Sequence, residues 1–167
     1  MAEIGENVVG CYLRLILDCE IVVYNQKIFR QGEVDVIGID LDKNIIYLCE
    51  VTTHILGLGY GKGYQDSINK IKDKFTKDIR YSKKLLPEFK KVFLYWSPNV
   101  PRGIVKLLEN YKKELDDEGI DFKLIINNEY TKCVNQLMNL AKKDAQNRGE
   151  PFYRVLQILG HLKKSKN

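Results

Sequence analysis

The sequence predicts an α/β domain built on a mixed β-sheet flanked by helices. Three observations carry that expectation. Two apolar, β-branched runs, Gly32 to Leu41 and Asn44 to Thr53, flank a tight Asp42-Lys43 turn and read as a hairpin. Stretches with apolar residues at helical spacing lie before and after it. Downstream, short apolar runs alternate with such stretches, the pattern of a β-α-β crossover.

Ile4, Val8, Val9, Tyr12, Leu15 and Ile16 predict a helix over about residues 3–18. Glu20 to Ile28 reads as a strand that leads through Arg30-Gln31-Gly32 into the hairpin. Four glycines at 57, 59, 61 and 63 mark a loop from His54 to Gly63. That loop lacks the G-x-x-x-x-G-K-[ST] pattern of a phosphate-binding P-loop, and a lid beside the hairpin is its expected role. Residues 64–86 read as a helix that buries Ile68, Ile71, Phe75 and Ile79 and ends before Pro87. Lys91 to Trp96 reads as a buried strand, Ser97 to Pro101 as a turn, 102–117 as a helix and Asp121 to Ile126 as a strand. Helical stretches near 129–147 and 152–163 complete an α-β-β-β-α-β-α-β-α-α order. Antiparallel strands followed by a crossover imply a mixed sheet with helices on both faces.

At 167 residues, 44% hydrophobic and 29% charged, the chain suits one domain spanning 1–167. No apolar run reaches membrane-spanning length, and no basic stretch followed by an apolar core opens the chain, so a cytoplasmic protein without membrane contact is expected. Cys11, Cys19, Cys49 and Cys133 form no C-x-x-C pair, and only His54 and His161 accompany them. Zinc spacing is therefore absent, and buried thiols in a reducing compartment are expected.

Charge is unevenly spread. From Tyr60 to Val92 there are ten Lys and Arg against four Asp and Glu, so this stretch carries +6 and the remainder −1. Such a segment fits either a polyanion partner or a solvated lysine-rich helix face. Lys70, Lys74, Lys77 and Lys84 share a face able to track phosphates, and Gln65 opens that helix. Tyr60, Tyr64 and Tyr81 interleave with the basic residues, as rings to stack on bases or as core or rim packing.

The hairpin holds the chemistry. With Asp42 and Lys43 at its tip, Asp35 faces Glu50, Glu33 faces Thr52, and all four side chains project from one face. Ile37, Ile39, Ile46 and Leu48 share that face, so it is expected to be covered. Like charges directly across a sheet are destabilising unless compensated, and a divalent cation is the simplest compensator.

A helix bearing Gly5-Glu6 with Tyr12-Leu13, then Gly32-Glu33-Val34-Asp35, then Glu50-Val51-Thr52 resembles the PD-(D/E)XK nuclease superfamily over about residues 3–97. Its Holliday-junction-resolvase-like and restriction-endonuclease-like branches are the nearest in pattern. The resemblance implies a restriction-endonuclease-like fold and a Mg²⁺-dependent nuclease (Mn²⁺ as an alternative ion) hydrolysing DNA. It assigns Asp35, Glu50 and the carbonyl of Val51 as metal ligands, assisted by Glu6; for Glu6 a helix N-terminal role is the competing reading. The family's lysine is replaced by Thr52, whose hydroxyl offers hydrogen bonds but no charge. Three readings stay open: a lysine from elsewhere, with Lys62 and Lys70 as candidates; catalysis by the metal alone; or a weakened or inactive nuclease. His54 is a further candidate, as an acid near the leaving group.

No base-reading module is visible, so specificity by substrate structure, by dimerisation or by a protein partner is expected, with RNA as an alternative substrate. The competing function is a nuclease-fold module that binds nucleic acid or assembles with a partner without cleaving. The last helix carries Phe152, Val155, Leu156, Leu159 and Leu162 on one side, for a dimer surface or for packing on its own sheet.

Overall fold

The computed structural model describes residues 3–29, 32–53, 63–146 and 148–164, with residues 163 and 164 as backbone only. Ten elements follow in the expected order: α1 (Ile4–Leu15), β1 (Ile21–Lys27), β2 (Glu33–Asp40), β3 (Ile45–Val51), α2 (Tyr64–Ser82), β4 (Lys90–Ser97), α3 (Arg102–Asp117), β5 (Asp121–Ile126), α4 (Asn128–Lys143) and α5 (Pro151–Lys164). The five strands form one mixed sheet in the order β1-β2-β3-β4-β5. The first three are antiparallel neighbours, whereas β3, β4 and β5 run parallel. This is the α/β architecture expected, and it is consistent with a restriction-endonuclease-like fold.

Residue chemistry accounts for the boundaries. A reciprocal capping box starts α1: the Glu3 side chain accepts from the helix backbone, and the Glu3 N–H donates to Glu6 Oε2 at 2.8 Å. The helix stops at Leu15, short of the expected 18. Helix α2 stops at Ser82 rather than 86. Lys84 and Leu85 close tight turns onto Tyr81 and Ser82, and Leu86 takes a positive φ of 27°. Proline disfavours a helical residue before it, so the chain leaves the helix ahead of Pro87.

The β2–β3 register is the one read from the sequence: Val36 pairs with Cys49, Ile37 with Leu48, Gly38 with Tyr47 and Ile39 with Ile46. The ladder closes at Asp40–Ile45, so the turn holds residues 41–44, and Asn44 adopts the left-handed conformation (φ 54°). Asp40 caps the turn by accepting from the Lys43 N–H and pairing with its ammonium.

Helices cover both faces. Ile37, Ile46, Leu48, Phe93 and Tyr95 pack against Ile68, Ile71 and Phe75 of α2 and Ile104 and Leu108 of α3. Val36, Cys49, Leu94 and Trp96 face Val9 and Leu13 of α1 and Cys133 of α4 on the other side. Helix α5 meets α1 and α4 through Tyr153 and Leu156 instead of lying on the sheet. Its expected apolar side divides: Phe152 and Leu156 are half-buried, while Val155, Leu159 and Leu162 are exposed together with Ile158. All four cysteines are buried free thiols. Among the described residues, no helix is long and apolar enough to cross a membrane.

Close approach of α1 to β1 requires a glycine. A Cβ on Gly10 would lie 2.0 Å from the Tyr24 hydroxyl and 2.5 Å from Cζ. Gly10→Ala is therefore expected to lower stability by about 1 kcal/mol or more, overpacking outweighing the gain in helix propensity. Urea unfolding of the variant beside the wild type measures it.

Candidate active site

Glu50 lies at the carboxyl end of β3, where β3 and β4 run side by side and Glu50 pairs with Tyr95. Ligands of open α/β sheets gather outside this end of parallel strands. Asp35 lies on β2, one residue past the Val36–Cys49 pair, and continuing that register brings it across from Glu50. Its Oδ2 accepts from the Val51 N–H at 2.7 Å, a backbone donor at the end of the strand. Asp35 and Glu50 are 7% and 1% exposed, so the shared, covered face expected for them is observed.

The lysine beside these carboxylates comes from α2. Lys74 Nζ pairs with Glu50 Oε2 and lies 3.3 Å from Asp35 Oδ2 and 3.5 Å from Asp35 Oδ1. The sequence reading gave Lys74 to phosphate tracking; its ammonium instead bridges the two hairpin carboxylates. Lys70 does not make that bridge, although it lines the same cleft of about 250 Å³ with Glu50, Thr52, Lys74, Lys77 and Tyr95. Lys62, His54 and Tyr60 lie outside the described residues, as does the glycine loop up to residue 62.

One turn beyond Lys74, Asp78 supplies a third carboxylate that the sequence reading missed. It is 1% exposed and borders a hollow with Asp35 and Lys74. Among the described residues, neither of its oxygens has a donor, and Glu50 Oε1 has none. Burial, and then Asp35, raise the Glu50 carboxyl well above the ordinary carboxylate range. Burial likewise pushes Asp78 up to about 7. A signal was available: Asp78 occupies the buried stripe of α2 with Ile71, Phe75 and Ser82, where a carboxylate is out of place unless it meets a partner.

The other candidates disperse. Glu6 is held in the α1 capping box and lines a separate hollow with Glu3, Asn25, Lys27 and Glu33. Glu33 pairs with Lys27 at 2.8 Å and also borders a hollow with Asp35, Lys74, Lys77 and Asp78. Thr52 is buried, its N–H donating to the Trp96 carbonyl at 2.9 Å. Gln65 is exposed and donates to Asn69 at 3.1 Å. Lys77 and Lys84 are exposed.

Among the described residues, no three His, Cys, Asp or Glu side chains are grouped to hold one ion. The donor set nevertheless fits Mg²⁺, which takes one or two carboxylates and completes its shell with water and substrate phosphate. Buried carboxylate oxygens lacking donors are the observation behind that fit.

Comparison with known proteins adds little. No protein-family model and no curated protein matches the chain. A crystal structure of a repair endonuclease from Pyrococcus abyssi is similar over 62% of this chain and 37% of its own, at 24% identity and a TM-score of 0.32. The chain thus spans well under half of that endonuclease.

A carboxyl whose pKa is higher folded than unfolded binds more protons in the folded state between the two values. Asp78 accordingly makes the metal-free protein lose stability as pH rises from about 4 to about 7, with a plateau above. Asp78→Asn should flatten that decline and raise the melting temperature at pH 8, measured by thermal unfolding in EDTA.

Proposed function

We propose that this chain is a metal-dependent nuclease that hydrolyses DNA phosphodiester bonds. The observation that supports it most is the buried cluster at the carboxyl end of β3: Asp35 and Glu50 bridged by Lys74, with carboxylate oxygens left without donors. In this reading Asp35, Glu50 and the Val51 carbonyl hold Mg²⁺, or Mn²⁺ in its place. When bound, the ion supplies Lewis-acid polarisation of the phosphate and a more acidic water. Lys74 takes the place of the lysine that Thr52 lacks, its ammonium offsetting charge that develops on the phosphoryl oxygens. It reaches the carboxylates from α2, whereas the motif would bring a lysine from β3 itself. Asp35 is held through the Val51 N–H, which fixes one ligand to the strand bearing the other. Thr52 contributes hydrogen bonding at the floor of the cleft, while Lys70 and Lys77 at its wall, and Gln65 and Lys84 further along α2, meet the backbone phosphates. Glu6 serves the fold through its cap.

One observation favours a second reading. The Lys74 ammonium stands between the two carboxylates, where a cation is needed, and so acts as a built-in counter-ion. A lysine held there without metal would make the protein a nucleic-acid-binding module that does not cleave.

Cleavage assays on single-stranded, duplex and branched DNA and on RNA, with Mg²⁺, Mn²⁺ or EDTA, separate the two. The nuclease reading expects metal-dependent cleavage that Asp35→Ala and Glu50→Ala abolish and that Lys74→Met lowers by about 100-fold or more. Cleavage that persists in both carboxylate variants would sink it. Binding without cleavage of any substrate would favour the module.

A further inference from the structure

At the far end of the basic helix, Phe29 holds an unusual position. It follows β1 with a φ of 51°, a left-handed backbone costly for a bulky aromatic, yet its residue stays 44% exposed. Burial therefore does little to explain why an aromatic stands there. The ring is nonetheless fixed. Tyr81 meets it edge-on at 6.2 Å between centroids. The Arg80 guanidinium lies 4.9 Å and the Lys84 ammonium 5.4 Å from its centre. The backbone beside it is tied down by the Ile28 N–H donating to the Gly32 carbonyl at 3.0 Å, and Gly32 borders the hollow shared by Asp35, Lys74 and Asp78. An exposed, held aromatic with two cations over its ring thus lies three residues before Gly32, which borders the carboxylate hollow.

We propose that Phe29 is a stacking platform for an unpaired base, and that the polyanion held along α2 is single-stranded DNA. This deepens the nucleic-acid part of the nuclease reading and rests on it. Tyr81 lies seven residues beyond Lys74, about 10 Å along the helix axis, or about three steps of a stacked strand. A strand whose phosphate lies at Lys74 runs past Lys77 and brings a base to Phe29, where Arg80 and Lys84 meet the flanking phosphates. A base inside a duplex already has both faces stacked, so only a single-stranded or flared segment can use the ring. Aromatic stacking tolerates any base, in keeping with the absence of a base-reading module.

The test is binding of a labelled oligothymidylate in EDTA, where no cleavage intervenes, beside a duplex of the same length. Phe29→Ala and the bulkier Phe29→Leu should each weaken single-strand binding by about 10-fold while leaving duplex binding unchanged. Phe29→Trp should bind as the wild type does, and saturating oligonucleotide should quench its added fluorescence over the background of buried Trp96. Wild-type affinity in the alanine and leucine variants, no quenching in the tryptophan variant, or equal loss on single strand and duplex would overturn the proposal. Metal-dependent cleavage that survives such a result would leave the nuclease reading standing, so the two fail separately.

Discussion

Lys74 reaches from α2 to both hairpin carboxylates, and Asp78, one turn further along the same helix, is buried beside the hollow that Asp35 and Lys74 border. Three acidic groups and one bridging ammonium are thereby gathered where solvent screening is weak. Unpaired charge is costly to bury, so the cluster demands either a proton, a cation or both. Burial raises the carboxyls of Glu50 and Asp78, which favours their protonated forms.

The sheet positions this cluster by its change of direction. Strands β1 to β3 form a meander, and β3 then becomes the first member of a parallel set. Glu50 consequently lies both across from Asp35 and at the carboxyl end of a parallel pair, beside Tyr95. Helix α2 is anchored below by Ile68, Ile71 and Phe75, which fix the azimuth of Lys74 and Asp78 to within a side chain's reach of the hairpin. Packing thus sets the chemistry: the same stripe that buries α2 turns Lys74 and Asp78 inward.

Much of the fold was legible because its signals are local. Hairpin register followed from a short turn and period-2 alternation, and the pairing of Val36 with Cys49 agrees with it. The helix Arg102–Asp117 and the strand Asp121–Ile126 were legible from the turn ending at Pro101 and from plain periodicity. Helix ends were less legible, since α1 and α2 finish where turns onto Tyr12 and Tyr81 form, not where apolar spacing fades. The site was half legible. Asp35 and Glu50 stand on neighbouring strands, so sequence spacing brings them together. Lys74 and Asp78 join them only through the packing of α2 on the sheet, and charge pattern alone placed Lys74 on the solvent face. The dispersal of Glu6 has the same origin: whether it caps its helix or turns to the carboxylates depends on three-dimensional distances that no spacing encodes.

Metal binding by the carboxylate cluster is the claim most directly open to measurement. Calorimetric titration of EDTA-stripped protein with Mn²⁺ at neutral pH should give saturable binding that releases protons into the buffer. Binding should be lost in Asp35→Asn and Glu50→Gln and kept in Lys74→Met. Equal heats in all four proteins, or no heat in the wild type, would contradict the account and leave Lys74 as the only counter-ion the cluster uses.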